Sequence, residues 1–231
     1  MNLLFYMTEK SFQFQFHKDN TFCISLLSHI DRWQKMMKRF TLLNMNVTRF
    51  NASIEKDLSI DPLPFSNSLN TLQKCCAHSH IQLWKLLLSS KEDYFLILED
   101  DACFDKEWLK KIDLFTLHET KDWDAIFLNA SEPFEIPNVW YLCQDQYLCG
   151  GYILSKQGAN KLLEMFQQCY FSADWMTTRL QTKNACYSFY PWLIIQEGND
   201  TTIGSGVELD HKKVVRCLEE INYSLLDHYI L

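Results

Sequence analysis

Tyr94-Phe95-Leu96-Ile97-Leu98-Glu99-Asp100-Asp101 is the stretch from which the rest of the chain is read. Five apolar residues run into three consecutive acids, and no Lys or Arg follows until Lys106. So short an apolar run reads as a buried strand of an α/β sheet, and in such sheets ligands bind beyond the carboxyl ends of the strands. Adjacent carboxylates repel one another, so at the mouth of a pocket they require a counter-charge. A divalent cation such as Mn²⁺ or Mg²⁺ supplies it, because these ions prefer carboxylate and water oxygens and leave room for phosphate. If the strand stays extended to its end, Glu99 and Asp101 point to one side and Asp100 to the other. The plainer alternative is a solvated acidic loop, or a helix N-terminus whose dipole favours carboxylates.

Upstream of this stretch, Ser68 or Asn70 caps an expected helix running to about Ser90. Before it, Thr21–Leu27 reads as a buried strand, Asp31–Phe40 as a helix and Val47–Phe50 as a second strand, joined by a parallel crossover. Residues 51–64 read as a polar loop. Phe12, Phe14 and Phe16 alternate with polar residues, which predicts an edge strand or an extension packed on the main body over residues 1–20. Downstream, Asp105 is expected to cap a helix to about Ile112, and Trp123–Asn129 to form a strand. Pro133 and Pro137 frame an irregular segment. Tyr147–Leu154 reads as a strand whose Gly150 and Gly151 let another group approach the backbone. A helix over Lys156–Phe166 capped by Ser155, a short helix Ala173–Thr182, a strand Tyr187–Ile195, a loop Gln196–Gly206 and a helical tail from Lys212 to about Leu226 follow. This alternation predicts a single α/β domain over residues 21–231 with a mixed, mostly parallel sheet. No Gly-x-Gly-x-x-Gly follows a strand, which argues against the dinucleotide fold.

At 231 residues, 47% hydrophobic, the chain can bury a sizeable core, and its net charge of −7 argues against a nucleic-acid partner. Nine cysteines without a Cys-x-x-Cys read as mostly buried thiols of a reducing compartment. No basic leader with an apolar core is seen at the start and no membrane-spanning run, so a cytoplasmic location is expected. Asn-x-Ser/Thr sequons begin at Asn46, Asn51, Asn129, Asn199 and Asn222 and matter only in a secretory lumen. The aromatic N-terminal strand offers an edge for pairing into a homo-oligomer.

Four segments together resemble glycosyltransferase family 25, which contains lipopolysaccharide and procollagen galactosyltransferases. Cys23-Ile24-Ser25-Leu26 with Asp31-Arg32 is similar to its opening strand and Asp-Arg pair. Cys76-Ala77-His78-Ser79-His80 followed by Leu83-Trp84 resembles its Gly-Cys-x-x-Ser-His helix, and Leu96–Asp101 its Leu-Glu-Asp-Asp metal motif. Gly150–Ala159 resembles its Tyr-x-x-Ser-x-x-Gly-Ala segment, with Asp174 and Pro191…Gln196 following in order. The chain departs from the pattern at Leu27–His29, where the family carries further basic residues, and at Cys75, which stands in place of Gly.

The resemblance implies a GT-A-type, Rossmann-like nucleotide-sugar-binding fold and transfer of a hexose (galactose, glucose or N-acetylglucosamine) from a UDP-sugar, with inversion, to a hydroxyl on a glycan or on a glycosylated or hydroxylated protein. Glu99, Asp100 and Asp101 are the expected ligands of Mn²⁺ or Mg²⁺, and Asp174 is the candidate base, with a helix N-cap as its competing reading. Ser25, Asp31, Arg32, Ser79, His80, Asp100, Gly150, Gly151 and Gln196 are the expected donor contacts, with Thr201 and Thr202 closing over the donor. Catalytically silent sugar or nucleotide binding on the same fold, and metal-dependent phosphohydrolysis, are the competing functions. Cys75, Cys76, His78 and His80 also invite a zinc reading. As two helical pairs pointing in different directions, however, they do not make a closed four-ligand site on their own.

Overall fold

The computed structural model describes residues 13–118, 122–182, 184–197 and 207–231. In chain order the elements are β1 (Thr21–Ser25), α1 (Ile30–Leu42), β2 (Thr48–Asn51), α2 (Glu55–Ile60), α3 (Thr71–Ser89), β3 (Tyr94–Glu99), β4 (Ala102–Asp105), α4 (Trp108–His118), β5 (Ala125–Phe127), β6 (Val139–Leu142), β7 (Gly151–Ser155), α5 (Lys156–Phe166), α6 (Ala173–Gln181), β8 (Cys186–Tyr190), β9 (Ile194–Gln196), α7 (Val207–Glu220), α8 (Leu225–His228) and β10 (Tyr229–Ile230).

A seven-stranded sheet has the order β2-β1-β3-β7-β5-β8-β6, and a three-stranded sheet the order β10-β4-β9. β1 pairs in parallel with β2 and β3, and β5 with β8. The β3–β7, β5–β7 and β6–β8 pairs are antiparallel. The sheet is therefore mixed, as expected, but evenly so rather than mostly parallel, because β7 enters its middle against the direction of both neighbours. β2, β1 and β3 run side by side in one direction and bring Asn51, Ser25 and Glu99 to a common edge.

β3 is apolar throughout because both of its faces are covered. Phe95 and Ile97 pack in the cluster that holds Ala77, Ile81, Trp84 and Leu87 of α3, while Leu96 and Leu98 pack with Met36 and Phe40 of α1 and Trp108 of α4. The side-chain period of two thus sorts the strand between α3 and α1. Of the two expected caps of α3, Ser68 and Asn70, the second holds the position: the Asn70 side chain accepts from the Gln73 N–H and the Gln73 side chain answers at the Asn70 N–H. Ser155 likewise caps α5 by accepting from the Gly158 N–H.

Four features depart from the sequence reading. α2 forms in a segment read as a polar loop, β6 forms just past the segment framed by Pro133 and Pro137, and an unforeseen β4 stands between the acids and the expected helix, which begins at Trp108. The single strand expected over Tyr187–Ile195 divides into β8 and β9, which belong to different sheets. These pieces are too short for periodicity to register, and long-range pairing decides them. Phe14 and Phe16 lie in an irregular segment packed on Tyr94, Phe115, Trp108 and Trp123, and Phe12 lies outside the described residues. Asp105 accepts from the Glu107 N–H, but it is also buried against Lys111 (2.7 Å) and Tyr223, which ties the C-terminal segment to β4.

Candidate active site

Period-two alternation carries past the end of β3 and sets the acids apart. Glu99 continues the Phe95–Ile97 face toward α3, where its Oε1 lies 3.2 Å from His80 Nε2. Asp100 continues the opposite face toward α1, where its Oδ1 lies 2.7 Å from Arg32 Nη2. The chain turns at Asp100–Asp101, so Asp101 is shared between the two sides. Its Oδ2 is 3.3 Å from Arg32 Nη2, and its Oδ1 is 3.5 Å from Gln196 Nε2, which also donates to Glu99 Oε2 at 3.1 Å.

The three carboxylates differ electrostatically. Burial pushes Glu99 up, but the His80 hydrogen bond and the charges of His80 and Arg32 outweigh it and hold the group below its ordinary value. Burial pushes Asp100 up against the opposing charge of Arg32 and the nearby Ser25 hydroxyl. Asp101 is raised to about 7, by burial first and then by the charge of Glu99. Asp100 Oδ2 is buried with no partner in hydrogen-bonding geometry among the described residues. An orphaned carboxylate oxygen beside a carboxyl raised by burial and by the charge of Glu99 fits a hard divalent cation, for which every donor atom here is oxygen.

The other expected contacts divide into those at the acids and those that position them. Ser25 is buried at the end of β1, and its hydroxyl accepts from Arg49 Nη2 (3.1 Å). Asp31 is exposed in the first turn of α1, whose N-cap is His29. Ser79 is fully buried; its oxygen accepts from the Ser53 N–H (2.8 Å) and its hydroxyl donates to the Cys75 carbonyl (2.9 Å), so it braces α3 instead of facing the acids. Gly150 and Gly151 do admit a close approach, but by protein. A Cβ would stand 2.8 Å from Gln196 Cγ at Gly150 and 2.5 Å from Ile194 Cδ1 at Gly151. Their role in the structure is to let β9 lie against β7 and aim Gln196 at Glu99 and Asp101. Thr201 and Thr202 lie outside the described residues.

Asp174 is not the N-cap of α6; Ser172 holds that position. Asp174 is half-buried in the first turn, accepts from the Trp175 N–H (2.8 Å), and stands close enough to Cys76 and Cys149 for its charge to raise both thiols. His78 faces away from the acids: its Nδ1 is 2.8 Å from the Ser53 hydroxyl and its Nε2 3.1 Å from Gln82 Nε2. His78 and Gln82 line a cleft of about 650 Å³ with Leu27, Asn51, Ser53 and Asp61, at the common edge of β1 and β2.

The family model for glycosyltransferase family 25 (LPS biosynthesis protein) matches residues 18–138, more than half of the chain. The chain belongs to glycosyltransferase family 25. Among curated family members, a glycosyltransferase 25 family member of Aedes aegypti is 26% identical over 166 residues, covering 62% of this chain and 27% of its own length. The human procollagen galactosyltransferase 2 is 27% identical over 170 residues, covering 63% of this chain and 27% of its own. The chain thus spans about a quarter of the length of these relatives. Among solved structures, the glycosyltransferase GlyE of Streptococcus pneumoniae superposes with a TM-score of 0.46 at 13% identity, covering 88% of this chain and 63% of that one.

Sequence reasoning did not single out Cys149 or the pair Arg39–Glu197, and it gave Tyr152 only as part of the Gly150–Ala159 motif. Cys149 stands immediately before the glycine pair, with only its neighbours to mark it. Arg39 is buried and reaches the Ala102 carbonyl (3.2 Å) and Glu197 (3.1 Å), joining α1 to β4 and to the end of β9. No helix among the described residues is long and apolar enough to cross a membrane.

Proposed function

We propose that this family 25 chain is a metal-dependent glycosyltransferase that moves a hexose from a UDP-sugar to a hydroxyl acceptor with inversion. The observation that carries this reading is the placement of Asp100 and Asp101, with an unpartnered buried oxygen and a carboxyl raised to about 7, at the sheet edge where a cleft of about 650 Å³ opens. A cleft of that size suits a nucleoside and its sugar.

Asp100 and Asp101 would hold Mn²⁺ or Mg²⁺, with Glu99 assisting. When bound, that ion supplies Lewis-acid stabilisation of the departing diphosphate. Arg32 neutralises the same acids in the present arrangement, and its guanidinium is within a side-chain rotation of a diphosphate seated on them. Gln196 orients Glu99 and Asp101 through its amide. The His78–Gln82 side of α3, with Asn51 and Ser53, lines the space for the nucleoside. Inversion requires one displacement, so a carboxylate must take the acceptor hydroxyl proton, and Asp174 is the residue assigned to that task.

The test is nucleotide release by the purified full chain, with Mn²⁺ or with EDTA, from UDP-galactose, UDP-glucose, UDP-N-acetylglucosamine and a GDP-sugar. Metal-dependent release from one UDP-sugar, lost in Asp101→Asn, is the expected result. Binding of a nucleotide sugar without turnover in the presence of hydroxyl acceptors supports the silent binding module in its place, a reading favoured by the departure at Leu27–His29, of which Leu27 and Ser28 line the cleft. Hydrolysis to free sugar that ignores added acceptor supports the phosphohydrolase.

A further inference from the structure

We propose that Cys76, His80, Glu99 and Cys149 form a binding site for a thiophilic divalent cation of the zinc class, distinct from the oxygen-donor pair Asp100 and Asp101. Four of the six separations among these ligand atoms are close to those of a tetrahedral site. With bonds of about 2.0 Å to nitrogen or oxygen and about 2.3 Å to sulfur, neighbouring ligand atoms lie roughly 3.3–3.8 Å apart. Here His80 Nε2 and Glu99 Oε1 are 3.2 Å apart, Cys149 Sγ is 3.8 Å from Glu99 Oε1 and 3.9 Å from His80 Nε2, and Cys76 Sγ is 3.9 Å from Glu99 Oε1. The ligand atoms of Cys76, His80 and Glu99 all lie within 4.8 Å of one another.

The donors come from elements that the core holds rigid. Cys76 and His80 are one turn apart on α3, Glu99 ends β3, and Cys149 precedes β7, whose Gly151 pairs with Leu98 of β3. The ring of His80 is fully buried and is oriented from behind. Its Nδ1 is 2.9 Å from the Tyr152 hydroxyl, which also accepts from the Trp84 Nε1–H at 2.9 Å. With the imidazole proton on Nδ1, directed at that hydroxyl, Nε2 offers its lone pair to the cluster; this is the supporting contact that metal-bound histidines carry. Two sulfurs and an imidazole select a zinc-class ion over Mn²⁺ or Mg²⁺. Each thiol releases its proton to solvent as its sulfur binds the ion. Glu99 joins the two sites, since its Oε1 faces the sulfurs and its Oε2 faces Gln196. The site requires nothing of the transferase reaction.

The test uses the full chain and Co²⁺ as a spectroscopic probe. One equivalent is expected to give the sulfur-to-cobalt charge-transfer band and the intense visible bands of a tetrahedral ion, both abolished by one equivalent of Zn²⁺. The band should vanish in Cys76→Ser/Cys149→Ser and persist in Cys75→Ser/Cys169→Ser and in Asp100→Asn/Asp101→Asn. A weak octahedral spectrum, or a band that survives Cys76→Ser/Cys149→Ser, overturns the proposal. Should that variant fail to fold, X-ray absorption of the zinc-loaded wild type decides: two sulfurs at about 2.3 Å support the site, and a shell of nitrogen and oxygen alone refutes it. Donor turnover is measured separately, so failure of the transferase reading leaves this result intact.

Discussion

Arg32 Nη2 stands 2.7 Å from Asp100 Oδ1, so the charge that balances the acidic edge of β3 comes from the first turns of α1. The guanidinium and the carboxylate are 21% and 9% exposed, which leaves little water to replace either partner. On the proposed reading, the Arg32 side chain and a divalent cation would be alternative counter-ions for the same two aspartates, and that alternative can be measured.

Replacing Arg32 with Ala removes the balancing charge and should cost about 3 kcal/mol, the lower end for a broken buried pair because Arg32 keeps some contact with water. Mn²⁺ should restore much of the loss, so the metal-induced rise in Tm should be larger in the variant than in the wild type. Equal metal-induced shifts in the two proteins would show that Arg32 and the metal do not share these ligands.

Asp101 gives the metal-free protein a pH dependence of opposite sign to that of an ordinary salt-bridged acid. Its carboxyl is raised from 3.8 to about 7, so between those values the folded chain keeps a proton that the unfolded chain has released. The stability it contributes is complete below the unfolded value and is lost as the pH rises through about 7. Asp101→Asn should therefore stabilise the metal-free chain near pH 8 by on the order of 4 kcal/mol, with almost no gain below pH 4. Urea denaturation in EDTA at the two pH values checks the sign; a destabilised variant near pH 8 would contradict it.

Asp174→Asn keeps the shape of the side chain and its acceptor oxygen for the Trp175 N–H, but removes the basicity. If Asp174 takes the acceptor proton, kcat should fall by about 10²–10⁴-fold while UDP-sugar affinity stays unchanged. Steady-state kinetics with a calorimetric measurement of donor binding separates the two quantities. Activity within tenfold of wild type rules Asp174 out as the base.

Gly150→Ala places a Cβ 2.8 Å from Gln196 Cγ and must push that side chain off Glu99 and Asp101. A stability loss of about 1–2 kcal/mol is expected, together with weaker metal binding. Gly158→Ala should cost more, because its Cβ would meet the Asp124 backbone carbonyl at 2.2 Å, which cannot rotate away, yet it should leave metal affinity alone. Chemical denaturation and metal titration of both variants test the contrast; equal metal affinity in Gly150→Ala and wild type would remove Gln196 from the site.

Much of the site's framework was legible along the chain because it depends on near neighbours. The apolar run before Glu99 predicts a buried β3, the capping candidates Ser68 or Asn70 and Ser155 predict the starts of α3 and α5 to within a couple of residues, and alternation predicts that Glu99 and Asp100 part company. What Gly150 and Gly151 accommodate was not legible: their lack of side chains signals a close approach, and only the pairing of the chain shows that Gln196 and Ile194 make it. Ser79 and His80 look equivalent in a motif, but one residue's rotation about the helix axis, about 100°, sends one to Ser53 and the other to Glu99.

The sequence by itself determined the α/β class, the principal strands and helices around the acids, and the presence of three carboxylates that demand a counter-charge. These follow from periodicity, capping and Coulomb repulsion, which act over a few residues. Tertiary structure alone decided that β7 runs against β3, that Arg32 supplies the counter-charge, and that Cys149 arrives beside Cys76, His80 and Glu99. Such contacts join residues tens of positions apart, and their partners are chosen by how whole elements pack, for which no local pattern in the chain provides a signal.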